Sequence, residues 1–571
     1  MSKAEASVEE LVQKIERGEL RLPEMQRRFV WRATRVRDLL DSLYRGYPSG
    51  AILLWESSEV VPLQDLAVSQ QQNPFQSTQL LLDGQQRLTS LTAVLRGEPV
   101  TVKGRKRPIE ILFNLEHPDK SSSVTEVTED GGDDDDDLLD DDVDSSVDEL
   151  LRMFEGMTFV VSTRKLEQSP HWVKVTEVFK SDSDKTFLER AGVKSFDDPR
   201  YEKYSQRLAR LRAIRKYPYR MDILERTLSY DEVTEIFVRV NSLGAKLRSS
   251  DLALAQITAK WRNSLKIFQE YQQLCTQAGF ELDLGLHLKN MIAFATGQSR
   301  FQTVGGLQLT ALQTAWEESR QGMDFAINFL KSNVGIDSPA LLSSPFLMVA
   351  LAQFGHKHSY NIDPKESDML RFWTMVANTK GRYSRGSSES VLDQDLSVLR
   401  HGGSVSELLE RLRQQVGRLD TTPEDLNGRN QRSALFKTMF LAFQQAGARD
   451  WHSNLAISLD HSGVQHSLQF HHFFPKAVLK GRYEDNEIND ISNLCFIGGR
   501  TNRLITDKPP EEYVPNLLTN LGKNAFSAQC IPTDDVSLLK VERYKDFLAK
   551  RRELIAARLN EFLGIASVVG N

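Results

Sequence analysis

Cysteine is scarce: Cys275, Cys495 and Cys530 are the only three in 571 residues, and they lie far apart. They offer neither a disulfide framework nor a CxxC zinc clip, which excludes disulfide-stapled and zinc-finger folds. Long apolar runs are missing as well. A membrane helix needs ~20 mostly apolar residues, and the longest candidate, around Pro345 to Phe354, is about half that. The N-terminus (MSKAEASVEELVQKIERGEL) is charged and amphipathic where a secretory signal would be apolar. No P-loop (GxxxxGK followed by Ser or Thr) occurs, so any use of a nucleoside triphosphate needs a non-Walker site. Secreted and membrane-spanning classes drop out, no membrane partner is expected, and a reducing cytoplasm is the expected compartment.

What is present is ordinary for a soluble globular chain: 40% hydrophobic and 26% charged residues. At roughly 100–200 residues per domain, the length implies two to four domains. The net charge of −6 conceals an asymmetry, because Asp119 to Leu150 hold 15 acids and one base. The remainder carries 71 bases against 63 acids, a mildly basic body of the kind a nucleic-acid partner favours. The acidic run (EDGGDDDDDLLDDDVDSSVDE) repels itself and lacks apolar residues to pack, so it is expected to be a disordered insert. Two roles suit it: a solvated loop, or a mobile mimic of DNA charge that covers a basic surface.

Val8, Leu11, Val12 and Ile15 have helical spacing, and a second helix is expected through Val36, Leu39, Leu40, Leu43 and Tyr44. Short apolar strands are expected at Ile52 to Trp55, at Leu80 to Leu82, and again near Phe159 to Ser162. From about 200 to 440 the pattern is helical, with a stripe Val233, Ile236, Phe237, Val240 and with Ser249 or Ser250 as a cap for DLALAQITAKW. After about 440 come strand-like pieces, a histidine cluster and closing helices around Tyr544 to Phe562. The expected class is α+β and multidomain: residues 1–118 as an α/β domain, 119–150 as the insert, 151–260 as the remainder of that domain and the start of the helical region, 261–440 as a helical linker domain, and 441–571 as a C-terminal domain.

The stretch LLLDGQQRLTSL sets a polar cluster at a strand-to-helix turn, where backbone N–H groups and the helix dipole favour an anion. Asp83 could hold a metal or a ribose hydroxyl, and Gly84 admits a ligand to the backbone. Gln85 and Gln86 could orient water or bases, and Arg87 could fork onto a phosphate. The same residues suit a plainer arrangement, with Asp83 as helix cap and Arg87 in an ion pair.

PEMQRRFVW (Pro23 to Trp31), DGQQR and FVRVNSLGAKLRSSDL (Phe237 to Leu252), in this order, resemble the N-terminal domain of GmrSD-type modification-dependent restriction endonucleases. That resemblance implies a ParB/sulfiredoxin-like fold that binds and hydrolyses nucleoside triphosphates (GTP, ATP, UTP or CTP) and helps to sense modified DNA. It implicates Gln26, Arg27, Asp83, Gly84, Gln85, Gln86, Arg87 and Asn241 in nucleotide binding, with Arg239 beside them. GRYSRGSSESVLDQDL (Gly381 to Leu396) looks like the family's helical region; its Arg382, Tyr383 and Arg385 are either nucleic-acid contacts or part of an ordinary polar loop.

FHHFFPKAVL followed by NDISNLCFIGGRTNRLITDKPPEEYV is the second constellation. Adjacent strand residues point to opposite sides, so one histidine can face a metal and the other a water. A neutral imidazole can take a proton from water, while a divalent ion steadies the scissile phosphate. His472 is read as general base, His471 and Asn502 as ligands of Mg²⁺ or Mn²⁺, and Asn493 as the catalytic brace. Arg500, Arg503, Lys508 and Lys476 are expected on DNA phosphates, and His452, His461 and His466 lie upstream as further histidines. Taken singly, a His-His pair is commonly a partly buried polar pair, and asparagines commonly sit in turns.

The stretch also resembles the GmrSD-type C-terminal ββα-metal (HNH) domain, closing on Pro510-Glu511-Glu512-Tyr513, with Asn502 where the broader pattern has histidine. The expectation is an HNH endonuclease of phage defence, cleaving modified double-stranded DNA under nucleotide control. A homo-oligomer or companion defence proteins are open as partners. The rivals are a nucleotide-dependent DNA clamp with an inactive HNH part, and a non-specific nuclease toxin.

Overall fold

The computed structural model describes residues 1–26, 31–57, 59–64, 66–71, 79–97, 110–119, 151–152, 154–243, 248–459 and 468–565. Residues 120–150 of the acidic insert and Arg27 therefore lie outside the described residues. The architecture is α+β, and the chain divides into two compact units, Met1–Leu265 and Lys266–Asn571.

The first unit is built on a six-stranded mixed sheet made of β1 (Ser2–Ser7), β2 (Leu20–Pro23), β3 (Ile52–Glu56), β4 (Leu63–Gln64), β5 (Gln79–Asp83) and β9 (Pro218–Leu224), in the order β1-β9-β3-β5-β2-β4. The central strand β5 is apolar on both sides because both faces are covered. Leu81 joins Ile52 and Leu54 in the core that holds α1 (Val8–Glu16), α2 (Ala33–Arg45) and α3 (Gln85–Arg96). Leu80 and Leu82 face the other way, with Trp55, against Tyr230, Val233 and Phe237 of the helix Tyr230–Leu243. Helix α1 starts at a capping box, Ser7 and Glu10, and buries Val8, Leu11, Val12 and Ile15, the four periodic positions. Helix α2 stops at Gly46, which takes a left-handed φ of 75°.

The strand expected near Phe159 to Ser162 forms at Phe159–Val161 (β7), in a separate antiparallel sheet, β7-β6-β8, with Ile111–Asn114 (β6) and Trp172–Lys174 (β8). Two expectations need correction here. Ser249 is the first residue of its helix rather than the cap, which is Arg248. Asp83 is the last residue of β5, and the cap of α3 is Gly84, at φ 100°.

The second unit joins the helical stretch to the C-terminal region. Its long helices include Leu309–Phe329, Phe346–Lys357 and Pro364–Lys380, and Tyr544–Leu563 closes it. The apolar run Pro345 to Phe354 supplies most of a buried helix in this bundle. No helix among the described residues is long and apolar enough to cross a membrane. Arg382 and Tyr383 are not nucleic-acid contacts, because both are buried. Arg382 grips Asp395 with two bonds (Nε to Oδ2, 2.6 Å; Nη2 to Oδ1, 2.5 Å), and Tyr383 donates to the same carboxylate at 2.6 Å. Arg385 is exposed.

Candidate functional site

In the first unit, the turn from β5 into α3 gathers most of the candidate nucleotide residues. Arg87 donates to Ser49 O (2.5 Å), Ala51 O (2.8 Å) and Asp83 Oδ2 (2.9 Å), so it ties the Gly50 loop to the strand end. That is the ion-pair arrangement, and Asp83 keeps 44% of its side chain exposed in it. Gly84 leaves no room for a side chain, since a Cβ there would lie 2.4 Å from Ile52 Cδ1. Gln85 is buried, and Gln86 accepts from Trp31 N at 3.1 Å. Gln26 is buried too, its side-chain amide donating to Leu81 O, while its backbone carbonyl accepts from the Gln64 side chain. Among the described residues the N-terminal end of α3 has no side-chain cap and no acid in its first turn; the nearest carboxylate in the chain, Asp83, precedes the cap and is paired with Arg87.

Asn241 stands apart from this turn by its bonding: it is buried, and its amide turns back on Phe237 O at 2.7 Å. Arg239 is exposed and paired with Glu235 four residues before it. Sequence reasoning missed Glu24, the acid inside PEMQRR. Its carboxylate is buried, accepts from Asn263 N (2.8 Å) and Leu265 N (2.7 Å), and is pushed above the usual carboxylate range by burial, against the pull of those donors. An acid amid the apolar and amide residues of that motif was the available signal.

In the second unit, β10 (Leu468–His472) pairs antiparallel with β11 (Leu494–Gly498), His471 opposite Cys495, and the helix Gly499–Ile505 follows at once. This ββα unit sends the two histidines to opposite sides. His471 is 5% exposed, and its Nδ1 lies 2.6 Å from Asn502 Oδ1. Its Nε2 is buried without a hydrogen-bond partner among the described residues. Burial lowers the pKa of His471 to about 4, against the opposing pull of Asn502. His472 is lowered to about 4 as well, first by burial and then by the charge of Lys476; its Nε2 faces Asn489 Oδ1 at 3.3 Å. Both rings are therefore neutral at cellular pH, the state in which imidazole can bind a metal or accept a proton.

Asn493 is wholly buried. Its Oδ1 accepts from Phe474 N (2.9 Å), and its Nδ2 donates to Phe474 O and Ile488 O (3.1 Å each). It thereby clamps the chain just after the histidines to the turn before β11. Behind it, the buried Arg551 donates to Ser492 O and Leu494 O, both at 2.8 Å. Lys476, Arg500, Arg503 and Lys508 are all exposed. Asp450 anchors His452 through the His452 N–H (3.2 Å), while His461 and His466 lie outside the described residues. Asn489, which faces His472, and Gln469, which accepts from Asn502 Nδ2 at 2.7 Å, were not read from the sequence. Gln469 lies two positions before His471 and so shares its strand face, which was the missed signal.

Among the described residues no group of three or more His, Cys, Asp or Glu could hold a metal. The fit for an ion rests instead on the His471 imidazole and the Asn502 amide oxygen already drawn together, the Nε2 of that same imidazole having no partner among the described residues. Such neutral donors suit a divalent ion whose charge is balanced by a bound phosphate.

Residues 8–258 match the model of the GmrSD restriction endonuclease, N-terminal domain. The chain is also similar to an uncharacterised protein of Methanocaldococcus jannaschii, 24% identical over 547 residues, which takes in 89% of this chain and 86% of that protein.

Proposed function

From the match of residues 8–258 to the GmrSD restriction endonuclease N-terminal domain, we propose that the chain is a GmrSD-type, metal-dependent DNA endonuclease of phage defence. The first unit would be the ParB-like nucleotide-binding domain, and the β10-β11-helix element the HNH nuclease. The observation that carries this reading is that β10 turns His471 to Asn502 on one side and His472 to the other, with Asn493 clamping the chain just beyond.

In this reading His472 accepts the proton of a water that attacks phosphorus in line, and the 3′-oxygen leaves, giving a 5′-phosphate and a 3′-hydroxyl. Asn489 orients the ring through Nε2, leaving Nδ1 as the basic atom. The negative charge of the scissile phosphate would offset Lys476 and raise the basicity of His472 as DNA binds. His471 and Asn502 would hold a Mg²⁺ or Mn²⁺ ion, which supplies charge stabilisation to the leaving oxygen. Arg500, Arg503, Lys508 and Lys476 would neutralise flanking phosphates. Asp83, Gln85, Gln86 and the uncapped end of α3 would take a nucleoside triphosphate, with Arg87 shaping the turn and Gln26 supporting the strand beside it. Binding or hydrolysis there would gate cleavage.

The test is cleavage of matched phage DNAs, modified and unmodified, with Mg²⁺ or Mn²⁺, with and without each of GTP, ATP, UTP and CTP, beside His472→Ala. Cutting confined to modified DNA and lost in the variant supports the proposal. Equal cutting of both DNAs points to a toxin. DNA binding without cutting under every condition favours a clamp.

A further inference from the structure

We propose that Gln469 is a positioning residue of the metal centre, fixing the carboxamide of Asn502 so that its oxygen faces His471. The inference rests on the nuclease reading above and deepens it. Asn502 is half-buried on the helix Gly499–Ile505, and its amide has two polar neighbours, one at each end. Its Nδ2 donates to Gln469 Oε1 at 2.7 Å, and its Oδ1 meets His471 Nδ1 at 2.6 Å.

An isolated asparagine amide can turn over, exchanging oxygen for NH₂, and an NH₂ cannot bind a cation. Gln469 removes that freedom. An acceptor at the Nδ2 end allows only the orientation that presents oxygen to His471. Strand geometry makes the arrangement possible: Gln469 and His471 are two apart on β10, so both face the same side, where the helix lies. Gln469 pairs across the sheet with Ile497, within a strand whose next residue, Gly498, is pinned by Asp450 at 2.7 Å. The acceptor is therefore mounted on a fixed element rather than on a loop. Groups that orient a ligand in this way govern metal affinity as well as geometry.

The experiment is Mn²⁺ binding to the full-length protein without DNA, by calorimetry and by the loss of the free-ion paramagnetic resonance signal. Gln469→Leu removes the acceptor at similar volume and should weaken Mn²⁺ binding by about 10–100-fold. Gln469→Glu keeps an acceptor and should bind close to wild type, which a general loss of structure would not allow. Melting of the metal-free variants provides the check on folding. If Gln469→Leu binds Mn²⁺ as wild type does while His471→Ala and Asn502→Ala do not, the positioning role is refuted and the metal centre stands. If the Leu and Glu variants lose affinity alike, the acceptor is not the operative feature and the proposal falls. If His471→Ala and Asn502→Ala both leave binding unchanged, the metal assignment fails and takes this inference with it.

Discussion

Replacing Asn493 by alanine separates a brace from a reacting group. The side chain is 0% exposed and makes three hydrogen bonds, with Phe474 N, Phe474 O and Ile488 O. Alanine satisfies none of them and is too small for Phe474 or Ile488 to find substitutes in the space left. Each buried backbone group left unpaired costs about 1–3 kcal/mol. The three share one site and will not add fully, so a loss of about 3–5 kcal/mol is expected. For a unit of this size that lowers the urea midpoint by about 1 M. Tryptophan fluorescence can follow it, because Trp451 packs on Phe473 and Phe526 beside the clamp. Hydrogen exchange provides the local reading: the Phe474 amide should lose its protection first. Asn493→Asp should be no better than alanine at neutral pH, since it keeps the bond from Phe474 N but turns two donor contacts into carboxylate facing carbonyl. Its deficit should shrink as the pH falls and the acid regains a proton to donate. A midpoint within about 0.3 M urea of wild type, with unchanged Phe474 exchange, would refute this account of Asn493.

His287 is buried with its Nε2 unpartnered among the described residues, and burial lowers it to about 4 against the pull of Asp283. Its folded pKa lies below the unfolded one, so its stabilising neutrality is fully present above about pH 6.5 and is lost towards pH 4. That is about 2 kcal/mol by pH 5, and His287→Phe should flatten that part of the pH–stability curve. Arg382→Met strands the wholly buried Asp395 and should cost about 3–5 kcal/mol by urea unfolding, most of it recovered by adding Asp395→Leu, whereas Arg385→Ala should cost nothing measurable. Gly84→Ala places a Cβ 2.4 Å from Ile52 Cδ1 at φ 100° and should destabilise the first unit by about 1–3 kcal/mol. Ile52→Val deletes the clashing methyl and should relieve part of that loss, leaving the backbone strain.

Periodicity made the elements of the first unit legible where one face decides burial. Val8, Leu11, Val12 and Ile15 are all wholly buried, and the apolar run at Leu80 to Leu82 is a strand covered on both faces. Strand β1, Ser-Lys-Ala-Glu-Ala-Ser, carries no such signal. It exists because β9, more than two hundred residues away, pairs with it from Ser2 opposite Ile223 to Ser7 opposite Pro218. Local propensity cannot report a pairing of that range. The same limit hid the nature of Arg382, since a polar stretch with two arginines reads as surface until its counter-charge, Asp395, is seen thirteen residues on and buried with it.

Residue type marks where a site is, while hydrogen bonding decides what each member does there. In the β5–α3 turn, Arg87 has the chemistry of a phosphate ligand, yet three backbone and carboxylate oxygens already engage it, and Asp83 is its partner. In the ββα unit, Asn493 and Asn502 are the same residue type nine positions apart, but one is enclosed by backbone while the other presents its oxygen to an imidazole. Each cluster thus combines residues that hold the chain with residues left available to a ligand. An alanine scan of either motif would lower activity at nearly every position and could not tell the two kinds apart. Substitutions that keep the charge but not the bonds to backbone can: Arg87→Lys keeps one cation but not the three-way grip, and a holding role is lost with it. Loss of stability with nucleotide affinity retained by the folded fraction assigns Arg87 to the scaffold; loss of affinity at unchanged stability assigns it to the ligand.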